Sequence, residues 1–107
     1  MADEFTGKPQ AEVAWVKGLI LVEAGRYNEA IPFLGAAAKV SDYHHAKEAI
    51  EFLLFAQYRA VRPADAEPYY AELRHRFPTS AWLPQVTRER AIATQLAKAR
   101  HGVAVRL

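Results

Sequence analysis

The stretch GRYNEAIPFLGAA, residues 25–37, decides the fold that we expect for this 107-residue chain. A related stretch, AEPYYAELRHRFP, occupies residues 66–78. When Ala30 is aligned with Ala66, the two stretches lie 36 residues apart. A period of this length is typical of stacked pairs of helices, in which each pair buries its apolar face against the next.

Five helices are predicted, because apolar residues recur at helical spacing between turn residues. Their expected bounds are about residues 10–24, 27–40, 42–60, 65–76 and 80–100. Gly25 and Gly102 are expected to end the first and the last helix. The expected N-caps of the third, fourth and fifth helices are Ser41-Asp42, Asp65, and Thr79 or Ser80. No segment alternates with period two, so the expected fold is all-α, with five antiparallel helices and no strands.

The length of the chain allows one domain with a modest core. The prediction divides the chain into a flexible N-terminal lead (1–9), a helical domain (10–101) and a C-terminal tail (102–107). Much of the apolar content is alanine, which is the best helix former. The absence of cysteine excludes a disulfide framework and a thiolate metal site.

The hydropathy of the chain and the charge of its first residues indicate where the protein is located. The longest dense apolar run, residues 13–22, is too short to span a bilayer. The acidic start, residues 1–4, lacks the basic region of a signal peptide. We therefore expect no membrane span and a cytoplasmic location, or a periplasmic one if a signal or anchor has been trimmed.

Charge is unevenly distributed along the chain. Residues 1–56 carry five Lys or Arg and eight Asp or Glu, whereas residues 57–107 carry nine Lys or Arg and four Asp or Glu. The first half of the sequence is therefore acidic and the second half is basic.

The two stretches resemble the tetratricopeptide repeat, a pair of helices with small residues where they cross. If Ala11 is the first position of the repeat, positions 8, 15, 17, 20, 24 and 27 are Gly18, Gly25, Tyr27, Ala30, Leu34 and Ala37. Position 32 departs from the pattern, with aspartate in place of proline. A second copy from Lys47 keeps Ala66, Tyr70 and Pro78 at positions 20, 24 and 32. That copy is degenerate, because Leu54 and Pro63 stand where a small residue and tyrosine are expected at positions 8 and 17.

Two further features extend this resemblance. The fifth predicted helix is similar to the polar capping helix that ends such repeats, since its outer face carries Arg88, Gln95 and Lys98. The run from Tyr69 to Trp82 also resembles repeats of bacterial envelope-assembly lipoproteins and Tol-associated coordinators. The resemblance therefore implies two helix-turn-helix repeats and a C-terminal cap.

In function, the resemblance implies a non-catalytic adaptor or scaffold that binds a peptide or helix of a partner protein in a concave groove. In this class, five positions of the first helix of each repeat line the groove. In the first repeat they are Glu12, Trp15, Leu19, Val22 and Glu23. In the second they are Glu48, Glu51, Phe55, Tyr58 and Arg59. The apolar members would anchor the partner and the charged members would select its charge, unless Trp15 and Phe55 pack inside the domain instead.

Self-association is the second hypothesis, because the end faces of two repeats are only partly covered and the two halves differ in charge. A nucleic-acid surface is a third hypothesis, since aromatic rings stack on bases and arginines neutralise phosphate. Its candidates are Tyr43, Tyr58, Tyr69, Tyr70, Arg59, Arg62, Arg74 and Arg76. We rank it below a protein partner, because the basic residues are spread over several helices.

No cofactor, metal or catalytic activity is expected. His44 and Glu48 would share one helix face, but two ligands are too few for a metal site. The only serines, Ser41 and Ser80, are expected to cap helices. The chain has no glycine-rich phosphate loop, so the sequence indicates a binding module rather than an enzyme.

Overall fold

The computed structural model describes the backbone of residues 8–106 and the side chains of residues 9–102. It has five helices: α1 Lys8–Glu23, α2 Tyr27–Ala38, α3 Ala46–Arg59, α4 Pro63–Arg76 and α5 Leu83–Arg106. No strand occurs in this part of the chain. The predicted all-α fold of five helices is therefore confirmed.

Helix α3 lies at the centre of the fold and contacts each of the other four helices. Helix α1 packs on α2, and α5 packs on both α3 and α4. The largest side chains that are fully buried between the helices are Leu34, Ile50, Leu53, Leu54 and Leu73. Buried alanines stand beside them, and their small side chains let the helices approach closely: Ala30, Ala37, Ala49, Ala56 and Ala66 have no exposed surface.

The closest approach between two helices lies where Gly18 of α1 meets Leu34 of α2. A Cβ atom added to Gly18 would lie 2.5 Å from Leu34 Cδ2 and 2.7 Å from Leu34 Cγ. These distances are well inside van der Waals contact, so no larger residue fits there without displacing Leu34. The close crossing predicted at Gly18 is confirmed.

The turn between α1 and α2 depends on Gly25, as predicted. Gly25 has a φ of 76°. The Arg26 amide donates to the Leu21 carbonyl at 2.8 Å, and the Gly25 amide donates to the Val22 carbonyl at 2.9 Å. This pair of bonds is the Schellman motif, which satisfies carbonyls at the end of a helix and favours glycine at the left-handed position.

The turn between α3 and α4 has the same hydrogen bonds, although no glycine is present. Val61 has a φ of 57°. The Arg62 amide donates to the Gln57 carbonyl at 2.8 Å, and the Val61 amide donates to the Tyr58 carbonyl at 3.0 Å. The two turns lie 36 residues apart, from Gly25 to Val61. A β-branched residue is strained in this conformation, so packing and hydrogen bonds hold the second turn against local preference.

Several predicted helix bounds are wrong. Helix α1 begins at Lys8, so Lys8 and Pro9 are helical rather than part of a flexible lead. Pro9 is tolerated because the first turn of a helix needs no amide donor from it. Residues 1–7 lie outside the described part of the chain.

Helix α3 begins four residues later than predicted, and Ser41-Asp42 is not its cap. The reason is the burial of Tyr43, whose side chain is only 5% exposed. Its amide donates to the Val40 carbonyl at 3.0 Å, and its carbonyl accepts the Ala46 amide at 2.9 Å. Residues 40–45 therefore form turns that hold the ring in the core, and the helix starts after them.

The last two helices also differ from the prediction. Helix α4 starts at Pro63, and Asp65 pairs with Arg62 at 2.9 Å instead of capping the helix. Helix α5 starts at Leu83 and continues through Gly102 to Arg106, so the predicted tail is helical up to residue 106. Within the described residues, no helix has the length and apolar character needed to cross a membrane.

Candidate binding surface on α1, α3 and α5

The ten residues predicted to line a groove have very different exposures. Three belong to the core: Trp15 is 7% exposed, Glu51 5% and Tyr58 2%. Leu19, Val22, Glu48 and Phe55 are half-buried, whereas Glu12, Glu23 and Arg59 are exposed. The predicted set therefore does not form one continuous surface. In particular, Trp15 and Tyr58 are buried and leave little surface for a partner to contact.

Trp15 joins α1 to the start of α3. Its ring stacks on His45, with 5.4 Å between centroids, and meets the edge of Phe52 at 5.6 Å. Such aromatic contacts add to the stability gained from burial. The interpretation of Trp15 as a packing residue inside the domain is thus the one that the structure supports.

Glu12 is exposed but already has a partner. The Tyr43 hydroxyl donates to Glu12 Oε2 at 2.6 Å. Burial, together with this hydrogen bond, raises the pKa of Tyr43 well above its usual range. Glu12 therefore ties α1 to the turn that precedes α3.

Tyr58 is buried next to the second turn, and its hydroxyl has no hydrogen-bond partner among the described residues. Burial, with a smaller contribution from Glu67, raises the pKa of Tyr58 well above its usual range. The phenol therefore stays neutral, and it fills space in the core rather than contacting a partner.

A mostly apolar pocket of about 210 Å³ lies between α3 and α5. We call it the α3–α5 pocket. Its lining residues are Glu51, Phe52, Phe55, Trp82, Gln85 and Val86. Trp82 precedes α5 and is 52% exposed. A half-exposed tryptophan beside two phenylalanines is typical of an anchor site in a protein interface.

Sequence reasoning found only two of these six lining residues, Glu51 and Phe55. Phe52 and Val86 lie at the helical apolar spacing that is equally typical of core residues, so the pattern does not mark them as pocket residues. Trp82 was not among the predicted groove residues, because those were taken from the first helix of each repeat and Trp82 lies in the turn before α5.

A hydrogen-bonded chain positions the polar wall of the pocket. The Ser80 hydroxyl donates to the buried carboxylate of Glu51. The same Ser80 oxygen accepts the Trp82 amide at 3.2 Å. Ser80 therefore links α3 to the turn before α5 and fixes the backbone of the exposed tryptophan. Ser80 is not the predicted N-cap, because α5 begins three residues later, at Leu83.

The rim of the pocket carries an ion pair between α3 and α5. Arg59 donates two hydrogen bonds to Glu89, at 2.8 and 3.0 Å. The guanidinium also lies 4.6 Å from the centre of the Phe55 ring, and Phe55 meets the edge of Tyr27 at 6.0 Å. The bonds to Glu89 raise the pKa of Arg59. Arg59 therefore links α3 to α5 next to the pocket residue Phe55.

Two buried polar atoms near the start of α3 have no partner among the described residues, His45 Nδ1 and Glu48 Oε2. His45 also packs against His44, with 4.1 Å between ring centroids. In the part of the chain that the structure describes, no group of three His, Cys, Asp or Glu side chains could hold a metal ion.

Six of the eight residues considered for nucleic-acid binding are paired or buried. Arg59, Arg62 and Arg76 form ion pairs with Glu89, Asp65 and Glu72. The rings of Tyr43, Tyr58 and Tyr70 are buried. These side chains therefore do not form the exposed aromatic and basic platform that stacking on bases needs.

The chain matches no family model, no curated protein and no solved structure at a significant level. The class that the structure defines is therefore a small all-α protein of five helices. Its function is inferred from the geometry of the pocket and of the helix faces.

Proposed function

We propose that this protein is a non-catalytic adaptor that binds a segment of a partner protein, and that the α3–α5 pocket holds the main anchor side chain. The observation that carries the proposal is the half-exposed Trp82 beside Phe52 and Phe55 in a pocket that is mostly apolar. Exposed tryptophans at the mouth of apolar pockets are among the residues that contribute most to protein binding.

The fold supports a tetratricopeptide-like arrangement of this adaptor. Two Schellman turns lie 36 residues apart, and α1 and α2 cross closely at Gly18. In such repeats, the first helix of each pair and the capping helix line one surface. The corresponding helices here are α1, α3 and α5, and α3 contacts both of the others.

The charges around the pocket favour a basic partner segment. Glu51 lies in the wall, Glu48 lies one turn before Phe52 on α3, and Glu89 lies on the rim. The nearby cation Arg59 is paired with Glu89. A segment with one large apolar side chain and flanking Lys or Arg would match this surface in shape and charge.

A library of random displayed peptides tests the proposal. Peptides selected on the full protein should carry a large apolar residue flanked by Lys or Arg. In calorimetric titrations, Trp82→Ala should weaken their binding by about tenfold or more, because truncation of a central tryptophan commonly costs more than 1 kcal/mol.

The matched control is Ile92→Ala, which removes an exposed apolar side chain of α5 that lies outside the pocket. It should leave the affinity of the selected peptides unchanged. If the library gives no saturable binder, or if Trp82→Ala binds as tightly as the wild type, the pocket is not the anchor site.

A further inference from the structure

Exposed apolar side chains in the described part of the chain are concentrated at its two end helices. On α1, Val13 is 54% exposed, Val16 44% and Ile20 60%. On α5, Ile92 is 56% exposed and Leu96 46%. The remaining large exposed apolar residue, Trp82, belongs to the pocket already described.

The three exposed residues of α1 form one continuous face, which we call the α1 stripe. Val13, Val16 and Ile20 are spaced three and four residues apart, so they lie on the same side of the helix. An apolar cleft between α1 and α2 adjoins the stripe at Val13 and extends to Phe33. In a helical repeat array, a preceding helix would cover such a face.

The two exposed residues of α5 form a second face, which we call the α5 ridge. Ile92 and Leu96 are four residues apart and therefore lie on the same side of the helix. Arg88, one turn before Ile92, and Arg100, one turn after Leu96, flank the ridge, and among the described residues they make no ion pair. The ridge is thus a small apolar surface with a free positive charge at each end.

The charges of the two faces determine which contacts are favourable. Between Leu83 and Gly102, helix α5 carries four Lys or Arg and one Glu, so two ridges placed against each other would repel. Helix α1 carries two Lys and two Glu, and Glu23, close to Ile20, makes no ion pair among the described residues. The two halves of the chain differ in net charge in the same direction as α1 and α5 do, because the first half is acidic and the second half is basic.

From these observations we infer that the protein associates head to tail, with the α1 stripe of one copy packed against the α5 ridge of the next. The contact buries two apolar faces that a single copy leaves in water and sets Glu23 near free cations. It is heterologous, so each added copy presents another free stripe or ridge. Association therefore continues into a chain or closes into a ring.

Two single substitutions separate this contact from symmetric alternatives. Ile20→Lys places a charge in the stripe, and Leu96→Lys places one in the ridge. Both side chains are exposed, so circular dichroism should show unchanged helicity. Sedimentation velocity from about 5 µM to about 500 µM should give a mass that rises with concentration for the wild type. Each variant alone should stay monomeric.

The mixture of the two variants is the decisive sample. The Ile20→Lys chain keeps its ridge and the Leu96→Lys chain keeps its stripe, so an equimolar mixture should form a heterodimer and nothing larger. If Leu96→Lys dimerises alone, two stripes pair, and if Ile20→Lys dimerises alone, two ridges pair. Either result, or a wild type that is monomeric throughout, overturns the inference.

The controls keep this test independent of the proposed pocket. Asn28→Lys adds the same charge at an exposed position outside both faces and should associate as the wild type does. Trp82→Ala leaves the stripe and the ridge intact and should also associate normally. Loss of peptide binding and loss of association are therefore separate outcomes.

Discussion

The junction of α1 with α2 and the junction of α3 with α4 reach the same turn with different residues. In the first junction, Gly25 takes the left-handed position. In the second, Val61 takes it, 36 residues later, with the same pair of backbone hydrogen bonds. The hydrogen bonds and the packing of the helices, rather than local preference, therefore determine the turn.

The helix crossings at the two junctions differ in the size of the residues that form them. Gly18 of α1 leaves room only for Leu34 of α2. Thirty-six residues later, the equivalent positions carry Leu54 and Tyr70, and both are buried. The Tyr70 hydroxyl also shares a hydrogen bond of 2.8 Å with Thr87 of α5. The second junction is thus built from larger side chains and is tied to the last helix, beside the α3–α5 pocket.

The largest expected effect comes from making the first crossing like the second. Gly18→Leu should destabilise the protein by about 3 kcal/mol, because its side chain would overlap Leu34. Urea unfolding followed by circular dichroism measures the change. Leu34→Ala should cost less in the Gly18→Leu background than in the wild type. Equal costs in the two backgrounds would show that the two side chains do not compete for space.

A smaller effect is expected from making the second turn like the first. Val61→Gly should raise the free energy of unfolding by about 0.5–1 kcal/mol, because relief of left-handed strain exceeds the entropic cost of glycine. Ala60→Gly is the matched control, since Ala60 has a φ of −82° and gains no relief. That control should lower stability. A loss of stability in both variants would mean that Val61 is not strained.

The smallest expected effect is a dependence on pH at Tyr58, whose equivalent in the first junction is Val22. The folded state keeps the phenol neutral above pH 10, whereas the unfolded chain releases the proton near pH 10. The contribution of Tyr58 to the free energy of unfolding is therefore fully present below pH 10 and is lost as the pH rises above it. Its loss at pH 10 is about 0.4 kcal/mol.

Chemical unfolding at pH 8 and pH 10 measures this loss, and Tyr58→Phe should reduce it. Tyr69→Phe is the control, because it removes a half-buried hydroxyl from α4 and leaves the buried one in place. An unchanged difference between the two pH values in Tyr58→Phe would contradict the assignment.

Much of the fold could be predicted because it depends on local pattern. The five helices follow from apolar spacing, and the first turn follows from glycine at residue 25. The start of α3 could not be predicted, since it depends on the burial of Tyr43 and its hydrogen bond to Glu12, 31 residues away in the chain. Local capping preferences at Ser41-Asp42 were weaker than this packing.

The candidate site was less predictable than the fold. Trp15 and Trp82 are both large aromatic residues in apolar surroundings, and their sequence contexts do not separate them. The structure buries Trp15 against His45 and Phe52 and leaves Trp82 half-exposed at the pocket. The difference arises from which helix covers each ring, and that is a property of helix packing.

The number of helices, the close crossing at Gly18 and the turn at Gly25 follow from the sequence alone, because they depend on periodicity and on glycine. That Val61 adopts the same turn without glycine is seen only in the packed fold. The packed fold also shows which aromatic rings are buried and where apolar faces remain exposed. Burial and strain depend on contacts between helices that are far apart in the chain, and these contacts outweigh local preference.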